Sequence, residues 1–289
     1  IPVVWTFHDC WSFTGHCAHF DYVDCNKWQT ECYNCPQKKE YPASYVFDRS
    51  KRNYKEKKDL FNSIQNMTIV PVSYWLGGLV KQSFLKKYPI KIIQNGIDIN
   101  VFSPQNNVQI IRSKYKLSNK FVMLGVAGTW SRRKGLEEFI KLSKQIDNNS
   151  IIILVGLNNK QIRSLPSNII GIKRTENVKE LAELYSTADV FVNPTFEDTF
   201  PTTNLEALSS GTPVVTYKTG GSVEAVSEDT GIIVEKGNVE KLLETIKTIQ
   251  NRGKDFYTIK CRERAIKYFN KDDRFNEYLI LYNDILNQG

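Results

Sequence analysis

The sequence has no apolar run long enough to cross a bilayer. Its longest uninterrupted aliphatic stretch is Ile151–Val155, against the roughly 20 residues that a spanning helix needs. It has no basic arm and no arginine-rich tail. The 39 lysines and arginines are spread along the whole chain, which counts against a dedicated nucleic-acid binder. Internal repeats and low-complexity tracts are also missing, which removes solenoids and linker-like chains from consideration. No Met opens the chain and no signal peptide is found in it. It starts at Ile1 inside a strand-like run, so any targeting segment could have been lost, and the first strands of the N-terminal domain are expected to be missing.

What is present is a chain of ordinary globular composition, 41% hydrophobic and 24% charged. Its 289 residues are enough for about two domains. The formal net charge is +8. Phosphorylated substrates, anionic lipid headgroups, nucleic acid or a well-solvated lysine-rich surface each account for such a balance.

Short apolar, β-branched runs occur at Val3–Phe7, Thr68–Val72, Ile90–Ile93, Phe121–Val126, Ile151–Val155, Asn168–Ile172, Val190–Asn193, Pro213–Thr216 and Ile232–Val234. Continuous runs of this kind suit strands covered on both faces. Helical spacing lies between the later ones, at Leu136–Gln145 and Val178–Thr187. Such alternation predicts a parallel, doubly wound α/β sheet. The turn Asn95-Gly96-Ile97-Asp98 divides the chain. Residues 1–100 then form an N-terminal domain with a Cys-rich insert, residues 101–271 a second doubly wound domain, and residues 272–289 a C-terminal helix. Three strands upstream of the turn against six downstream predict that the N-terminal domain is incomplete.

Ligands of open α/β sheets bind beyond the carboxyl ends of the strands. His8 and Asp9 stand there after the first run, Gly128–Gly135 after Phe121–Val126, Pro194–Glu206 after Val190–Asn193, and Thr219-Gly220-Gly221 after Pro213–Thr216. Arg132, Arg133 and Lys134 precede a helix, where cations and free amides together suit a phosphate. Pro201 is placed to be the first residue of the next helix. The amides of Thr202, Thr203 and Asn204 are then free for a diphosphate. Asp198 and Glu206 flank that helix start, and carboxylates accept hydrogen bonds from sugar hydroxyls.

These residues resemble the retaining family 4 glycosyltransferases. Asp198 and Glu206 reproduce the family's pair of carboxylates separated by seven residues, with Phe200 at the aromatic position. The first carboxylate of that pair is usually Glu, and Glu197 is adjacent. The string from His8 to Cys17, HDCWSFTGHC, resembles a bacterial exopolysaccharide or colanic-acid-type branch. The resemblance implies the GT-B fold, with two Rossmann-like doubly wound domains facing a cleft. Arg264–Leu286 are then final helices that return to the N-terminal domain. It implies that Asp198 meets the donor sugar, Glu206 the ribose, and Lys134 with Arg133 (or Arg132) the phosphates. Thr202, Thr203, Gly220 and Gly221 would complete the donor site. His8 would reach the donor sugar near the reacting carbon, so that His8, Asp198 and Lys134 form the catalytic set.

The implied activity is transfer of a sugar from a nucleotide-diphosphate donor to a glycan or lipid-linked acceptor. No cofactor is required for it, because these cations stand where a divalent ion would. The implied location is cytoplasmic, at the inner face of the cell membrane, with peripheral contact to anionic lipid and no nucleic-acid partner. A truncated chain would bind nucleotide but transfer weakly. Two other readings stay open: a sugar-nucleotide epimerase of the same architecture, and a zinc-knuckle nucleic-acid-binding protein.

Cys17, Cys25, Cys32 and Cys35 fall within 19 positions. They suit a structural zinc with four thiolates, with His16 and His19 near enough to replace one. Free thiols and disulfides are the alternatives, and disulfides would need an oxidising compartment.

Overall fold

The computed structural model describes residues 1–287. The chain divides into two compact units. One holds Ile1–Asn95 together with the segment that begins at Arg274, and the other is Gly96–Asp273.

The second unit is a six-stranded parallel sheet. Its elements in chain order are α3 (Val108–Lys114), β3 (Phe121–Val126), α4 (Leu136–Ser143), β4 (Ser150–Val155), α5 (Asn159–Arg163), β5 (Ile169–Ile172), α6 (Val178–Thr187), β6 (Val190–Asn193), α7 (Thr202–Ser209), β7 (Val214–Tyr217), β8 (Gly231–Val234), α8 (Val239–Arg252) and α9 (Asp255–Phe269). The strand order is β5-β4-β3-β6-β7-β8, all neighbours parallel. Counted within the unit this is 3-2-1-4-5-6, the doubly wound order whose direction reverses between its first and fourth strands. That reversal lies between β3 and β6.

Burial follows position in the sheet. All residues of β4, β6 and β7 are buried, whereas the edge strands β5 and β8 are partly exposed. Ile152, Ile153 and Leu154 are fully inaccessible, and burying each such side chain stabilises the fold by about 1.5–3 kcal/mol. The helices lay apolar stripes on the sheet. Leu242, Ile246 and Ile249 of α8 are buried at helical spacing. Asn177 and Asn238 cap α6 and α8 by accepting the amides of Glu180 (3.0 Å) and Lys241 (2.8 Å).

The first unit contains β1 (Val3–Phe7), α1 (Ser50–Asn62), β2 (Met67–Pro71), α2 (Tyr74–Val80) and most of α10 (Lys271–Asn287). β1 and β2 pair in parallel. Between β1 and α1 runs an insert with only three single 3-10 turns, at Trp11–Phe13, Asp21–Val23 and Lys27–Gln29. Phe13, Phe20 and Trp28 pack ring on ring beneath it. Thr6 of β1 hydrogen-bonds Tyr278 of α10 at 3.1 Å.

The expected strand at Ile90–Ile93 is not formed. The segment runs beside β2, with Ile69 N donating to Pro89 O, Lys91 N to Ile69 O and Ile93 N to Pro71 O, but only Ile69 and Ile90 make a bridge. A continuous ladder needs the next amide of β2, and that residue is Pro71, which has none.

Candidate functional site

Three loops of the second unit meet at the reversal point. The loop after β3 turns at Ser131–Gly135, where Lys134 N and Gly135 N donate to Ser131 O and Arg132 O. Trp130 anchors its start, donating its indole N–H to Val155 O at 2.8 Å. Gly135 has φ +80, and a Cβ there would overlap the Pro194 carbonyl. Only glycine lets the two loops approach so closely.

The loop after β6 is tied to this turn. Phe196 N donates to Arg133 O (2.8 Å), and Arg133 Nη1 donates to Glu197 O (3.0 Å). Lys134 Nζ lies 2.5 Å from Asp198 Oδ2. The third loop follows β7. Gly221 N donates to Asp198 O (3.0 Å) and Thr219 Oγ1 to Phe196 O (2.9 Å). Gly220 has φ +48, and a Cβ on it would overlap Asp198 O. The structure therefore brings Arg133, Lys134, Asp198, Gly220 and Gly221 together. Asp198 turns its carboxylate to Lys134, while its neighbour Glu197 is wholly buried.

Helix α7 opens at this point. Pro201 is its N-cap (φ −69, ψ 117) and the helix begins at Thr202, one residue later than the sequence suggested. Asn204 N donates to Pro201 O at 3.2 Å, so its amide is not free for a ligand. Thr202 and Thr203 supply the leading amides. Glu206, one turn further on, accepts the Tyr185 hydroxyl at 2.8 Å. Burial pushes its carboxyl above the ordinary range, partly offset by hydrogen bonds from Tyr185 and Thr202. Burial, then the Glu206 carboxylate, pushes the Tyr185 phenol well up.

Sequence reasoning missed the polar lattice under these loops. Asn193 Nδ2 donates to Asn204 Oδ1 (2.8 Å), and Asn204 Nδ2 donates to Ser222 O and reaches Ser222 Oγ (3.1 Å each). Thr216 Oγ1 donates to Asn193 O (3.0 Å) and bonds Ser222 Oγ (2.7 Å). All four residues are buried. The available signal was a polar residue closing an apolar strand run, at Asn193 and Thr216.

His8 belongs to the first unit, exposed at the carboxyl end of β1. Asp9 beside it accepts the Trp11 amide at 2.8 Å. The cysteines are free thiols, not disulfides. Among the described residues no three His, Cys, Asp or Glu side chains stand in a metal-holding arrangement, so the expected closed set of four ligands is not drawn together. Cys17, Cys25, Cys32 and Cys35 instead line one small cavity. His16 lines it too, but its Nε2 is engaged with Lys38 O at 3.2 Å.

A doubly wound sheet with phosphate-suited loops at its reversal point defines a nucleotide-type α/β domain, and comparison with solved proteins gives the fold class as GT-B. Sucrose-phosphate synthase from Thermosynechococcus elongatus superposes with a TM-score of 0.76 at 20% identity, over 99% of this chain and 68% of that one. HepE of Anabaena, in complex with UDP and glucose, gives 0.73 at 18% identity, over 98% and 71%. Residues 119–252 match the family model described as glycosyl transferases group 1.

The chain is similar to CapM of Staphylococcus aureus, a capsular polysaccharide biosynthesis glycosyltransferase. The two are 28% identical over 219 residues, 68% of this chain and 54% of CapM. It is also similar to WcaC of Escherichia coli, whose name places it as a glycosyl transferase of colanic acid biosynthesis. Here identity is 25% over 256 residues, 86% of this chain and 59% of WcaC. The chain thus spans somewhat over half the length of these relatives. No helix among the described residues is long and apolar enough to cross a membrane.

Proposed function

We propose that this chain carries out retaining transfer of a sugar from a nucleotide-diphosphate donor to a glycan or lipid-linked acceptor in cell-surface polysaccharide synthesis. The observation that carries the reading is the meeting of Lys134, Arg133, Asp198 and the start of α7 at the β3–β6 reversal. The diphosphate lies on the leading amides of Thr202 and Thr203 and on Lys134 and Arg133. Glu206 accepts the ribose hydroxyls, and Asp198 accepts a hydroxyl of the donor sugar. Gly220 and Gly221 keep the Asp198 carbonyl in place and leave room beside it.

In the reaction the bond between the anomeric carbon and the diphosphate breaks through an oxocarbenium-like state. The acceptor oxygen takes the place of the diphosphate with configuration kept, and the acceptor's hydroxyl proton passes to the departing diphosphate. Charge grows on the leaving diphosphate, and Lys134 and Arg133 stabilise it where it grows. The presence of UDP and glucose in HepE supports a uridine nucleotide as the first donor to try. The net charge of +8 supports peripheral contact with an anionic membrane at the cytoplasmic face.

A panel of nucleoside diphosphates and their sugars, read by thermal shift, tests the donor site. At 100 times the dissociation constant the stabilisation is about 2.7 kcal/mol. Release of nucleoside diphosphate from the donor that binds, on addition of a lipid-linked or glycan acceptor, tests transfer. A panel with no member that shifts the melting curve overturns the reading.

A further inference from the structure

The Cys-rich insert of the first unit is not used by the donor chemistry. Four of its thiols, Cys17, Cys25, Cys32 and Cys35, line one cavity of about 10 Å³, with Phe20 and Trp28 among the other walls. A space of that size admits a single water-sized occupant. Burial raises the Cys32 thiol to about 11 and helps to raise Cys17 as well, but backbone amides point at two of the sulfurs. Gly15 N donates to Cys32 Sγ at 3.2 Å, and the amides of Gln37 and Cys17 bond to the Cys35 sulfur. Amides aimed at sulfur stabilise the thiolate that a metal binds, as second-shell groups do around metal ligands generally.

A cation is built in beside them. The Lys57 ammonium is buried, donating to Trp11 O (2.6 Å) and Thr14 O (3.0 Å), and it lies within electrostatic reach of Cys17 and Cys32. Burial disfavours the charged form of such a lysine, and neighbouring thiolates offset part of that. The insert has little else to hold it. Its regular structure is three single turns, and its core is Phe13, Phe20 and Trp28. Small irregular segments of this kind are commonly held by a metal or by disulfides.

We propose that Cys17, Cys25, Cys32 and Cys35 bind one zinc ion as a closed, structural site that fixes the insert between β1 and α1. The donor set is all thiolate, which selects a soft or borderline ion, and four such ligands without an open position mark a structural zinc. The four sulfurs do not stand in a metal-holding arrangement among the described residues, so binding would require their side chains to turn inward around the cavity that they already share. Four thiolates on one Zn²⁺ carry a net charge of −2, and Lys57 offsets part of it. The site takes no part in transfer. It holds Trp11, Thr14 and Gly15, and through them the loop that leaves His8. Gly15 fits tightly there, since a Cβ on it would overlap Ser50 O and crowd the Cys32 Cβ.

Elemental analysis of the whole chain, purified without chelator, decides the matter. About one zinc per chain is expected. Cys10→Ser and Cys261→Ser, which alter the two cysteines outside the cluster, should retain it. Cys25→Ser and Cys35→Ser, at the two half-buried members, should lower it at least tenfold. Should those two variants fail to fold, the unaltered protein is stripped with chelator and titrated with Co²⁺. Tetrahedral thiolate coordination then shows as a sulfur-to-cobalt charge-transfer band with intense visible bands. A zinc-free protein with four titratable thiols, a disulfide within the cluster, or no such cobalt spectrum would each overturn the proposal.

Discussion

Lys134 and Asp198, 64 positions apart in sequence, meet at 2.5 Å, with 26% and 12% of their side-chain surfaces exposed. The pair joins the loop after β3 to the loop after β6. It keeps a cation and an anion together at the point where a donor's phosphate and sugar would need one of each.

Separating the two partners separates two functions. Lys134→Ala should weaken nucleoside diphosphate binding by about tenfold or more, a loss of about 1.4 kcal/mol. Asp198→Asn should keep diphosphate affinity within a small factor, because Lys134 is freed from its carboxylate, yet should lose transfer. Calorimetry with the nucleoside diphosphate and an assay with the complete donor check the two arms. Equal loss of diphosphate binding in both variants would contradict the assigned roles.

The burial of Glu206 gives a pH signature. Its carboxyl titrates above the ordinary carboxylate value in the folded chain. The folded state thus holds that proton more tightly than the unfolded state. Stability contributed by this group falls as pH rises from the unfolded value, near 4.3, through the folded one. Glu206→Gln should therefore melt higher than the parent at pH 7, with the difference shrinking as the pH drops towards 4. The same variant should bind nucleotide more weakly. A variant that melts lower than the parent at neutral pH would show that the Tyr185 hydrogen bond outweighs the burial of charge.

Gly220→Ala places a methyl against Asp198 O at a residue with φ +48. The expected loss of stability is about 1–3 kcal/mol, measured by urea unfolding. Donor binding should fall with it, because the Asp198 carbonyl can no longer sit over the Gly221 amide.

Asn204→Leu tests the polar lattice. It strips the partners from Asn193 Nδ2 and Ser222 O, both buried. Each buried group left unpaired costs about 1–3 kcal/mol, so the melting temperature should fall by several degrees. Asn204→Asp keeps the acceptor for Asn193 and should cost less.

The inner strands of the second unit could be read from sequence because they are apolar runs covered on both faces, as at Ile151–Val155 and Val190–Asn193. The strand-end rule also located the loops that converge at β3 and β6. Ile90–Ile93 has the same kind of run, but whether it pairs depends on Pro71, a residue on another strand. The Lys134–Asp198 ion pair, the Glu206–Tyr185 bond and the Asn193–Asn204–Ser222–Thr216 lattice were equally invisible. Periodicity reports which face of an element is buried, and it does not report which distant side chain lies opposite. The start of α7 was misplaced by one residue because Pro201 serves equally well as a cap or as a first helical residue. The extended ψ of 117° at Pro201, which sequence does not report, makes it the cap.

The bond between Thr6 and Tyr278 has a consequence for synthesis on the ribosome. β1 emerges well before its partner on α10, which lies 272 positions later. The second unit, Gly96–Asp273, is contiguous in sequence and can fold while the ribosome is still adding α10. The first unit has to wait, with β1 available to chaperones or to other nascent chains until α10 has been made. Once folded, the second unit brings Gly96 and Asp273 into one compact body, through the bridge of Ile97 to Asn270 and the ion pair of Asp98 with Lys271. A closure that would otherwise span the whole chain becomes a local one, with a correspondingly smaller entropy cost. The order of assembly therefore runs against the order of translation: the unit made later closes before the earlier one is complete.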